Sequence, residues 1–254
     1  MNKRLAILFF SFTFFANQMF GWQSAGHKIV ANIAYSLISK NCRDSVQAYL
    51  DTTSFEKAAV WMDEVRGNPN FNYLKPIHYI NIEKDKTYVK VPDNNIINAL
   101  DLAFATLKNR THQTHANIRF QLLLLFHLIG DLHQPLHVGY GDDRGGNEIY
   151  LRFQNKKTNL HKLWDADLIK RSQIKLSDCL QLLKSLNNRD LQTYRQINIE
   201  QWMQESRAFL PQVYDFNNNT IDETYMLKNK PLIVSQLTKA GIRLAAILEF
   251  CFGR

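Results

Sequence analysis

Residues 122–137, with the sequence LLLLFHLIGDLHQPLH, determine how the rest of this chain can fold. They open with five apolar side chains in succession, a run that leaves no polar face for solvent. A helix that is apolar on every side is stable only when neighbouring elements cover it completely. The stretch therefore predicts a central, fully buried helix around which the remaining elements pack.

The second half of this stretch contains ionisable side chains at helical spacing. His127 and Asp131 are four residues apart, which places them on one face of the helix, about one turn from each other. Pro135 lacks an amide hydrogen and disfavours helical geometry at the residue before it, so we expect the helix to end near His133, just before His137. Buried imidazoles and carboxylates need partners, and both are common zinc ligands. The stretch alone is equally compatible with a metal site and with a hydrogen-bonded core histidine beside a capping aspartate.

The N-terminus has the pattern of a secretory signal peptide. Two basic residues precede an apolar run over residues 5–15, and a polar stretch then leads to Gly21. Such a run is too short to span a bilayer and is typical of a cleaved export signal. We expect cleavage after Gly21, with Ala16 as the alternative, and a domain comprising residues 22–254. The protein is then exported, to the periplasm or the medium, and we expect no later segment to be long and apolar enough to cross a membrane.

Composition and charge are compatible with an anionic partner. The 254 residues have a formal net charge of +8, which falls to +6 (29 − 23) once residues 1–21 are removed. Hydrophobic residues make up 45% of the chain, enough to build one substantial core. A basic exported protein is suited to nucleic acids, phospholipid surfaces or other phosphates, although simple solubility explains the charge equally well.

Hydrophobic periodicity predicts a mainly α, single-domain fold with one small β-hairpin. No internal repeat or break in composition divides the chain. Residues 148–153 and 157–160 are predicted to form the hairpin, with a turn at Asn155. The predicted helices cover residues 22–40, 43–50, 55–66, 94–108, 114–133, 160–170, 176–186, 199–214 and 231–252.

The cysteines restrict the chemistry that any metal site can use. Cys42, Cys179 and Cys251 permit one disulfide in an oxidising compartment, and the sequence does not choose among the three pairings. Their spacing forms no zinc-finger pattern, so a zinc site must use nitrogen and oxygen ligands.

A second His–Asp pair strengthens the metal hypothesis. His161 and Asp165 have the same four-residue spacing as His127 and Asp131. An isolated histidine or aspartate says little, but two such pairs in one cysteine-poor chain favour a metal site. Zinc sites built from histidine and carboxylate are more often hydrolytic than structural.

Six segments together resemble the zinc-dependent, single-strand-specific nuclease family of fungi, plants and bacteria. They are WQSAGH (22–27), WMDEVR (61–66), HYIN (78–81), FHLIGDLHQPLH (126–137), DRGGN (143–147) and NLHKLWD (159–165). The resemblance extends over essentially all of residues 22–254 and implies the helical fold shared by these nucleases and zinc phospholipase C.

The resemblance further implies that nine residues bind three Zn²⁺ ions. The ligands of the first ion would be Asp63, His78, His127 and Asp131. Those of the second would be His137, His161 and Asp165. Those of the third would be His27, the shared Asp131, and the α-amine and carbonyl oxygen of Trp22. Because a free amine at Trp22 exists only after residues 1–21 are removed, the precursor could not complete the third site.

The activity implied by the resemblance is hydrolysis of single-stranded DNA and RNA to 5′-phosphorylated products, together with 3′-nucleotidase activity. Asp63 would orient the attacking hydroxide, Arg66 would neutralise charge on the transition state, and Asn147 would hydrogen-bond a phosphate oxygen. Tyr79 and Asn81 would stack on and hydrogen-bond a splayed base. We expect a monomer without a membrane span that acts on single-stranded nucleic acid and 3′-nucleotides.

Two other functions would also use such residues. A zinc phospholipase C resembles this family in fold and metal set, but it has a longer gap between its N-terminal Trp and first His, and usually a final Glu. Here that gap is five residues and the final ligand is Asp165. A non-enzymatic zinc-binding or adhesion protein would leave Arg66 and the DRGGN loop without a role.

Overall fold

The computed structural model describes residues 22–154 and 156–253. It is 68% helical with one small three-stranded sheet, which confirms the prediction of a mainly α, single-domain fold. The signal-peptide prediction concerns residues 1–21, and the predicted turn residue is Asn155, so both lie outside the described residues.

The helices of the described part follow the predicted order, except that α9 was not predicted. The α-helices are α1 (Ser24–Leu37), α2 (Lys40–Leu50), α3 (Phe55–Val65), α4 (Ile96–Lys108), α5 (His115–Leu132), α6 (Leu160–Lys162), α7 (Leu168–Arg171), α8 (Leu176–Ser185), α9 (Asn188–Tyr194), α10 (Ile199–Arg207), α11 (Leu210–Val213) and α12 (Glu223–Phe252). Short 3₁₀ segments cover Pro69–His78, Arg110–His112 and Pro135–Val138, and a π-helical turn, Leu163–Asp167, joins α6 to α7.

The central helix is α5, as the opening stretch predicts. Every residue from 121 to 132 is buried, and α1, α3, α4 and α12 all pack against this helix. Thr114 caps the N-terminus by accepting a hydrogen bond from the amide of Asn117. The helix ends at Leu132, just before Pro135, which confirms the predicted stop.

The last helix, α12, is longer than predicted. It begins at Glu223, where Asp222 accepts a hydrogen bond from the amide of Tyr225, and it continues through Pro231. The prediction that it begins at residue 231 is therefore wrong. A proline inside a helix costs about 3 kcal/mol, but Pro231 is exposed and the helix buries seventeen residues. Fully burying one large apolar side chain contributes about 1.5–3 kcal/mol, so packing outweighs the local penalty.

Within the described residues, α12 is also the helix whose length and composition would allow it to cross a membrane. This differs from the expectation that no later segment reaches that length and apolarity. In the fold, 78% of an apolar 18-residue stretch of α12 is buried against other elements, as is usual for a core helix of a globular protein.

The predicted hairpin is present and gains a third strand. β1 (Tyr150–Phe153) and β2 (Lys156–Asn159) pair antiparallel. β3 (Thr220–Ile221) adds in parallel on the other side of β1, which local patterning did not indicate. Along β1, Leu151 and Phe153 are buried while the alternate side chains are exposed.

Two further features differ from the sequence-based expectations. Residues 199–214 form two helices, α10 and α11, because the chain turns after Arg207 and Pro211 lies in the first turn of α11. Cys42, Cys179 and Cys251 are all buried and free, so the permitted disulfide is not formed. Burial raises the pKa of the Cys42 thiol to about 12, which disfavours the reactive thiolate.

Candidate metal centre

The nine predicted ligand residues converge around the C-terminal half of α5. They come from eight different places in the chain, since His127 and Asp131 share α5, and all are buried except Asp63, which is half-buried. The contributing positions are Trp22 before α1, His27 in α1, Asp63 in α3, His78 at the end of a 3₁₀ segment, His127 and Asp131 in α5, His137 in the 3₁₀ segment after α5, His161 in α6 and Asp165 in the π-helical turn.

The first cluster surrounds one oxygen of Asp131. His78 Nδ1 lies 2.8 Å from Asp131 Oδ2, and His127 Nε2 lies 3.2 Å from the same oxygen. Asp63 Oδ1 approaches His127 Nε2 to 3.9 Å. These four side chains are the ligand set expected for the first ion, and the structure brings them together.

The second cluster consists of His137, His161 and Asp165. His137 Nε2 lies 3.6 Å from Asp165 Oδ1, and His161 Nε2 lies 3.3 Å from Asp165 Oδ2. The ligand atoms of the three residues all lie within 4.8 Å of one another. This group is identical to the set expected for the second ion.

His27, an expected ligand of the third ion, lies against side chains of the first cluster. Its Nε2 is 3.4 Å from Asp131 Oδ1, and its ring stacks on that of His127 with centroids 3.9 Å apart. It also forms a possible metal-binding group with Asp63 and His127. The amide of Gln23 donates to the carbonyl of Asp165 at 2.7 Å, which holds the Trp22–Gln23 peptide beside the same centre.

The donor atoms that face the centre fit divalent metal ions. Buried polar atoms in proteins are normally hydrogen-bonded, but several here have no hydrogen-bond partner among the described residues. They are His27 Nε2, Asp63 Oδ1, His127 Nε2, Asp131 Oδ1, His137 Nε2, His161 Nε2 and Asp165 Oδ2. Two ligands of a tetrahedral zinc, each about 2.0–2.1 Å from the ion, are about 3.3 Å apart. Most of the separations above are close to that edge length.

Backbone carbonyls orient three of the imidazoles. In each case Nδ1 donates to a main-chain oxygen, a partner that assigns the proton to Nδ1 and leaves the Nε2 lone pair for a metal. The bonds join His127 to Ala59 and His137 to His78 at 2.8 Å, and His161 to Gly145 at 2.7 Å.

The electrostatics of the clusters favour a bound cation. Burial alone would raise the pKa of Asp131, but the facing His127 and His137 hold it well below its usual range. Burial opposes the charging of His137, yet Asp131 and Asp165 raise its pKa to about 9. Burial lowers the pKa of His78 to about 4. The metal-free centre thus keeps a buried proton on His137, in a place where a metal ion would supply the positive charge.

Gln134 is a supporting residue that sequence reasoning missed. Its Nε2 donates to Asp165 Oδ1 at 2.6 Å, and its Oε1 accepts from the amide of Leu136 at 2.6 Å. The side chain is completely buried. Gln134 therefore fixes one oxygen of Asp165 and leaves the other facing the second cluster. Its position before Pro135 indicated only the end of α5.

Gly130 is the second residue that sequence reasoning missed. A Cβ atom at this position would lie 2.6 Å from Nδ1 of His27. Real Cβ atoms do not approach other atoms so closely, so only glycine allows α5 and the His27 ring to come together. The glycine inside a strongly apolar helix was the available signal.

The remaining predicted residues lie near the clusters. Arg66 Nη1 is 3.9 Å from Asp63 Oδ1. Tyr79 and Asn81 are half-buried directly after His78. The side-chain Nδ2 of Asn147 donates a hydrogen bond to the carbonyl of Arg144 at 2.8 Å. The predicted bond to a phosphate needs the same amide group as donor.

Comparison with known proteins agrees with this geometry. A family model described as S1/P1 Nuclease matches residues 22–253. This chain belongs to the S1/P1 nuclease family. Membership confirms the resemblance seen in the six segments and assigns the chain to the nucleases, which hydrolyse phosphodiesters. It also implies zinc as the metal for the His and Asp clusters.

Several curated S1/P1 relatives are similar over long stretches. Endonuclease 2 of Arabidopsis thaliana is 24% identical over 271 residues, covering 94% of this chain and 93% of that protein. Endonuclease 3 of the same plant is 28% identical over 263 residues, covering 91% and 89%. Nuclease S1 of Aspergillus oryzae is 29% identical over 166 residues, covering 60% of this chain and 56% of that protein.

Proposed function

We propose that this S1/P1 nuclease is an exported, monomeric enzyme that uses three zinc ions to cleave single-stranded DNA and RNA to 5′-phosphorylated products. We include 3′-nucleotidase activity, since a 3′-phosphomonoester presents the same phosphorus to the same ligands. The observation that supports the proposal most directly is the buried donor set with Asp131 at its middle. Its oxygens lie 3.2 and 3.4 Å from His127 and His27, respectively, as expected of a carboxylate shared by two ions.

The metal ligands are assigned as the resemblance implies. The first ion would be held by Asp63, His78, His127 and Asp131. The second would be held by His137, His161 and Asp165. The third would be held by Trp22, His27 and Asp131. When bound, such ions lower the pKa of water and act as Lewis acids toward a phosphate ester.

Two side chains at the edge of the first cluster would stabilise the charge on the phosphate and orient the attacking oxygen. Arg66 has only 14% of its side chain exposed and lies at the edge of the first cluster. A guanidinium held there stabilises the extra negative charge of a pentacoordinate phosphorus. Asp63, which shares that edge, would orient the attacking oxygen.

Single-strand preference follows from the place of the aromatic side chain next to the ligands. Tyr79 directly follows His78, and Asn81 is two residues further on. A base can stack on Tyr79 only after it leaves its own stack, which costs less in a single strand than in a duplex.

The N-terminus supports the proposal that maturation controls the third site. Trp22 is completely buried, and the Gln23 amide anchors its peptide beside Asp165. Cleavage after Gly21 would create a free amine that can chelate a metal together with the Trp22 carbonyl oxygen. Cleavage after Ala16 would leave five extra residues and no such amine.

The deciding experiment uses protein that begins at Trp22 and has been reconstituted with zinc. Release of 5′-mononucleotides from single-stranded DNA and RNA is followed with and without a chelator, and the bound zinc is counted by elemental analysis. The matched control has one extra residue before Trp22. We expect chelator-sensitive cleavage, with sharply lower activity and one zinc fewer in the extended protein.

A Trp22 protein that binds zinc and leaves nucleic acid intact would contradict the nuclease proposal. Phosphatidylcholine is therefore tested in parallel, because turnover of that substrate would support a phospholipase C. The family match over residues 22–253 favours the nuclease.

A further inference from the structure

Arg207, the last residue of α10, forms hydrogen bonds to main-chain oxygens in the segment that follows α5. Its Nη1 donates to the carbonyl of Val138 at 2.5 Å and to that of Gly139 at 2.8 Å. Val138 is completely buried, so solvent does not reach its oxygen in the native fold. Hydrogen bonds from a charged donor are stronger than neutral ones, so Arg207 holds this part of the backbone firmly.

The two oxygens that Arg207 contacts belong to the residues directly after His137, an expected ligand of the second ion. The Gly139 oxygen also accepts from the amide of Ile82 at 3.1 Å, in the segment that follows His78. Arg207 therefore contacts the same oxygen that joins these two segments of chain. It fixes the backbone immediately beyond His137.

The same contact affects His161 by a second route. A Cβ atom on Gly139 would lie 2.7 Å from the Cα of Gly145, so the two glycines are in close contact. The carbonyl of Gly145 accepts the hydrogen bond from His161 Nδ1 at 2.7 Å. Because close-packed interiors transmit strain, a shift of Gly139 would move the oxygen that orients the His161 ring.

We propose that Arg207 is a positioning residue for the second zinc site. It fixes the backbone of residues 138–139 and, through that backbone, the imidazoles of His137 and His161. Asp165, the remaining ligand, is held separately by Gln134. This inference rests on the proposed function for the identity of the metal, and it gives Arg207 no part in the chemical step.

The main test measures the zinc affinity of the protein purified after export, by competition with a chromophoric chelator. Arg207→Met removes both hydrogen bonds, and we expect one zinc ion to bind about 10- to 100-fold more weakly, as when other supports of metal ligands are removed. Arg207→Lys keeps a cation for the same two oxygens and should restore most of the affinity. Equal affinity in Arg207→Met and the native protein would overturn the proposal.

A double-mutant cycle identifies the weakened site. His137→Gln removes one ligand of the second ion, and the zinc bound at a fixed free concentration is counted in each variant. The double variant Arg207→Met/His137→Gln should bind as much zinc as His137→Gln alone, because both changes act on one site. A further loss of zinc in the double variant would mean that Arg207 supports the fold in general, and it would overturn the proposal.

Arg43→Met is the matched control. Arg43 donates through Nε and Nη2 to the carbonyl of Ile38 at 3.2 and 3.0 Å, and like Arg207 it lies over a tyrosine ring. Ile38 follows the end of α1 that is remote from His27, about 15 Å further along the helix. We expect Arg43→Met to bind zinc as the native protein does. An equal loss of zinc in both variants would overturn the specific role of Arg207.

Circular dichroism establishes that each variant is folded before zinc is measured. Should Arg207→Met fail to fold, Arg207→Gln takes its place, because glutamine retains a polar side chain but is too short to contact both oxygens. The same weakening of one zinc ion is expected in this variant.

Turnover of a single-stranded oligonucleotide is recorded in parallel. We expect kcat of Arg207→Met to fall about 10- to 100-fold with little change in KM, since the predicted base-binding residues stay in place. Weaker zinc binding in Arg207→Met supports the proposal even if the native protein leaves nucleic acid intact. Unchanged zinc binding overturns the proposal, and cleavage by the native protein would then still support the nuclease.

Discussion

Because Gly130 has no Cβ, the imidazole of His27 can lie directly against α5. In Gly130→Ala the new Cβ would lie 2.6 Å from His27 Nδ1, so the His27 ring must move away from Asp131. We expect fewer bound zinc ions and a kcat/KM lower by about 10- to 100-fold, as for other disturbed supports of metal ligands. Gly67→Ala is the control, because a Cβ there meets nothing within 4 Å. Wild-type zinc content in Gly130→Ala would contradict the argument.

Gln134 should control the second cluster through Asp165. Gln134→Ala removes the 2.6 Å hydrogen bond to Asp165 Oδ1 and frees the carboxylate to rotate. We expect zinc affinity at this cluster to fall about 10- to 100-fold, measured by competition with a chromophoric chelator. Gln121→Ala in α5 serves as the control, since among the described residues its side chain hydrogen-bonds only to Asn117. Equal affinities in the two variants would mean that Asp165 needs no support.

The sequence predicted the side chains of the candidate site better than their supports. His127 with Asp131 and His161 with Asp165 follow from helical spacing alone, while Asp63, His78 and His27 needed a family resemblance. Gln134 and Gly130 could not be predicted, because their roles depend on atoms brought close only by tertiary packing. The same holds for the carbonyl partners of the histidines.

At the scale of elements, a buried network ties α12 to the helix that supplies the ligands. Arg243 in α12 is 2% exposed, lies 2.8 Å from His133 Nε2 at the end of α5 and pairs with Glu205 in α10. His133 Nδ1 donates to the carbonyl of Ile129. Burial and the nearby Arg243 keep the pKa of His133 well below its usual range, so this imidazole is neutral and accepts the hydrogen bond from arginine.

Breaking this network should destabilise the fold. Arg243→Leu leaves His133 Nε2 without its partner and removes from Glu205 its buried cation, although Lys239 and Gln201 still contact that carboxylate. We expect a loss of about 2–4 kcal/mol in the free energy of unfolding. Urea denaturation of the zinc-loaded protein measures it. Arg189→Leu on exposed α9 should cost less than about 0.5 kcal/mol. An Arg243→Leu protein as stable as this control would show that the network contributes nothing.

Helices and strands could be predicted where residues close together in the sequence determine them. The caps and the proline stop fix α5 at both ends, and alternation predicts the hairpin. The eight residues of α12 that precede Pro231 could not be predicted, since burial outweighs the proline penalty there. β3 and the π-helical turn that contains Asp165 likewise depend on contacts with distant parts of the chain.

At the scale of the whole molecule, zinc should hold together segments that are far apart in sequence. The predicted ligands extend from Trp22 to Asp165, so metal binding stabilises the folded state over the unfolded chain. A site at a free zinc concentration about 1,000 times its Kd contributes about 4 kcal/mol. We expect a chelator to lower Tm markedly and added zinc to restore it. A Tm that does not respond to the chelator would contradict this expectation.

The effect of pH on zinc binding follows from His137. Its pKa is raised to about 9 in the metal-free protein, so below that pH a metal must displace a proton from it. Because the pKa of His127 is also raised, we expect zinc affinity to increase at least tenfold per pH unit between about pH 7 and pH 9 and to level off above it. Calorimetry in buffers of different ionisation enthalpy detects the released proton. If zinc binding released no proton at pH 7, the raised pKa of His137 would be contradicted.

The thermal stability of the metal-free protein should decrease with rising pH over part of the range in which zinc affinity increases. A histidine whose pKa is higher in the folded state stabilises the fold below its ordinary pKa of 6.5, and the effect is lost as pH rises through about 9. The Tm of the chelated protein should therefore fall between these values. His137→Gln should reduce this fall, and the remainder should come from His127, whose pKa is also raised, against the effect of burial, by Asp131 and Asp63. An undiminished fall in the variant would contradict the role of His137.

The hydrogen bonds from three imidazoles to main-chain oxygens have a consequence for protein design. Every amino acid supplies the same carbonyl, so the residues at positions 59, 78 and 145 orient the histidines through the path of the chain and not through their own side chains. A designer who grafts the nine ligands onto another scaffold would copy none of this support. Transplanting the centre requires copying the course of three backbone segments. It also requires a glycine at position 145, where φ is 63° and a Cβ would lie 2.4 Å from the carbonyl oxygen of Leu136.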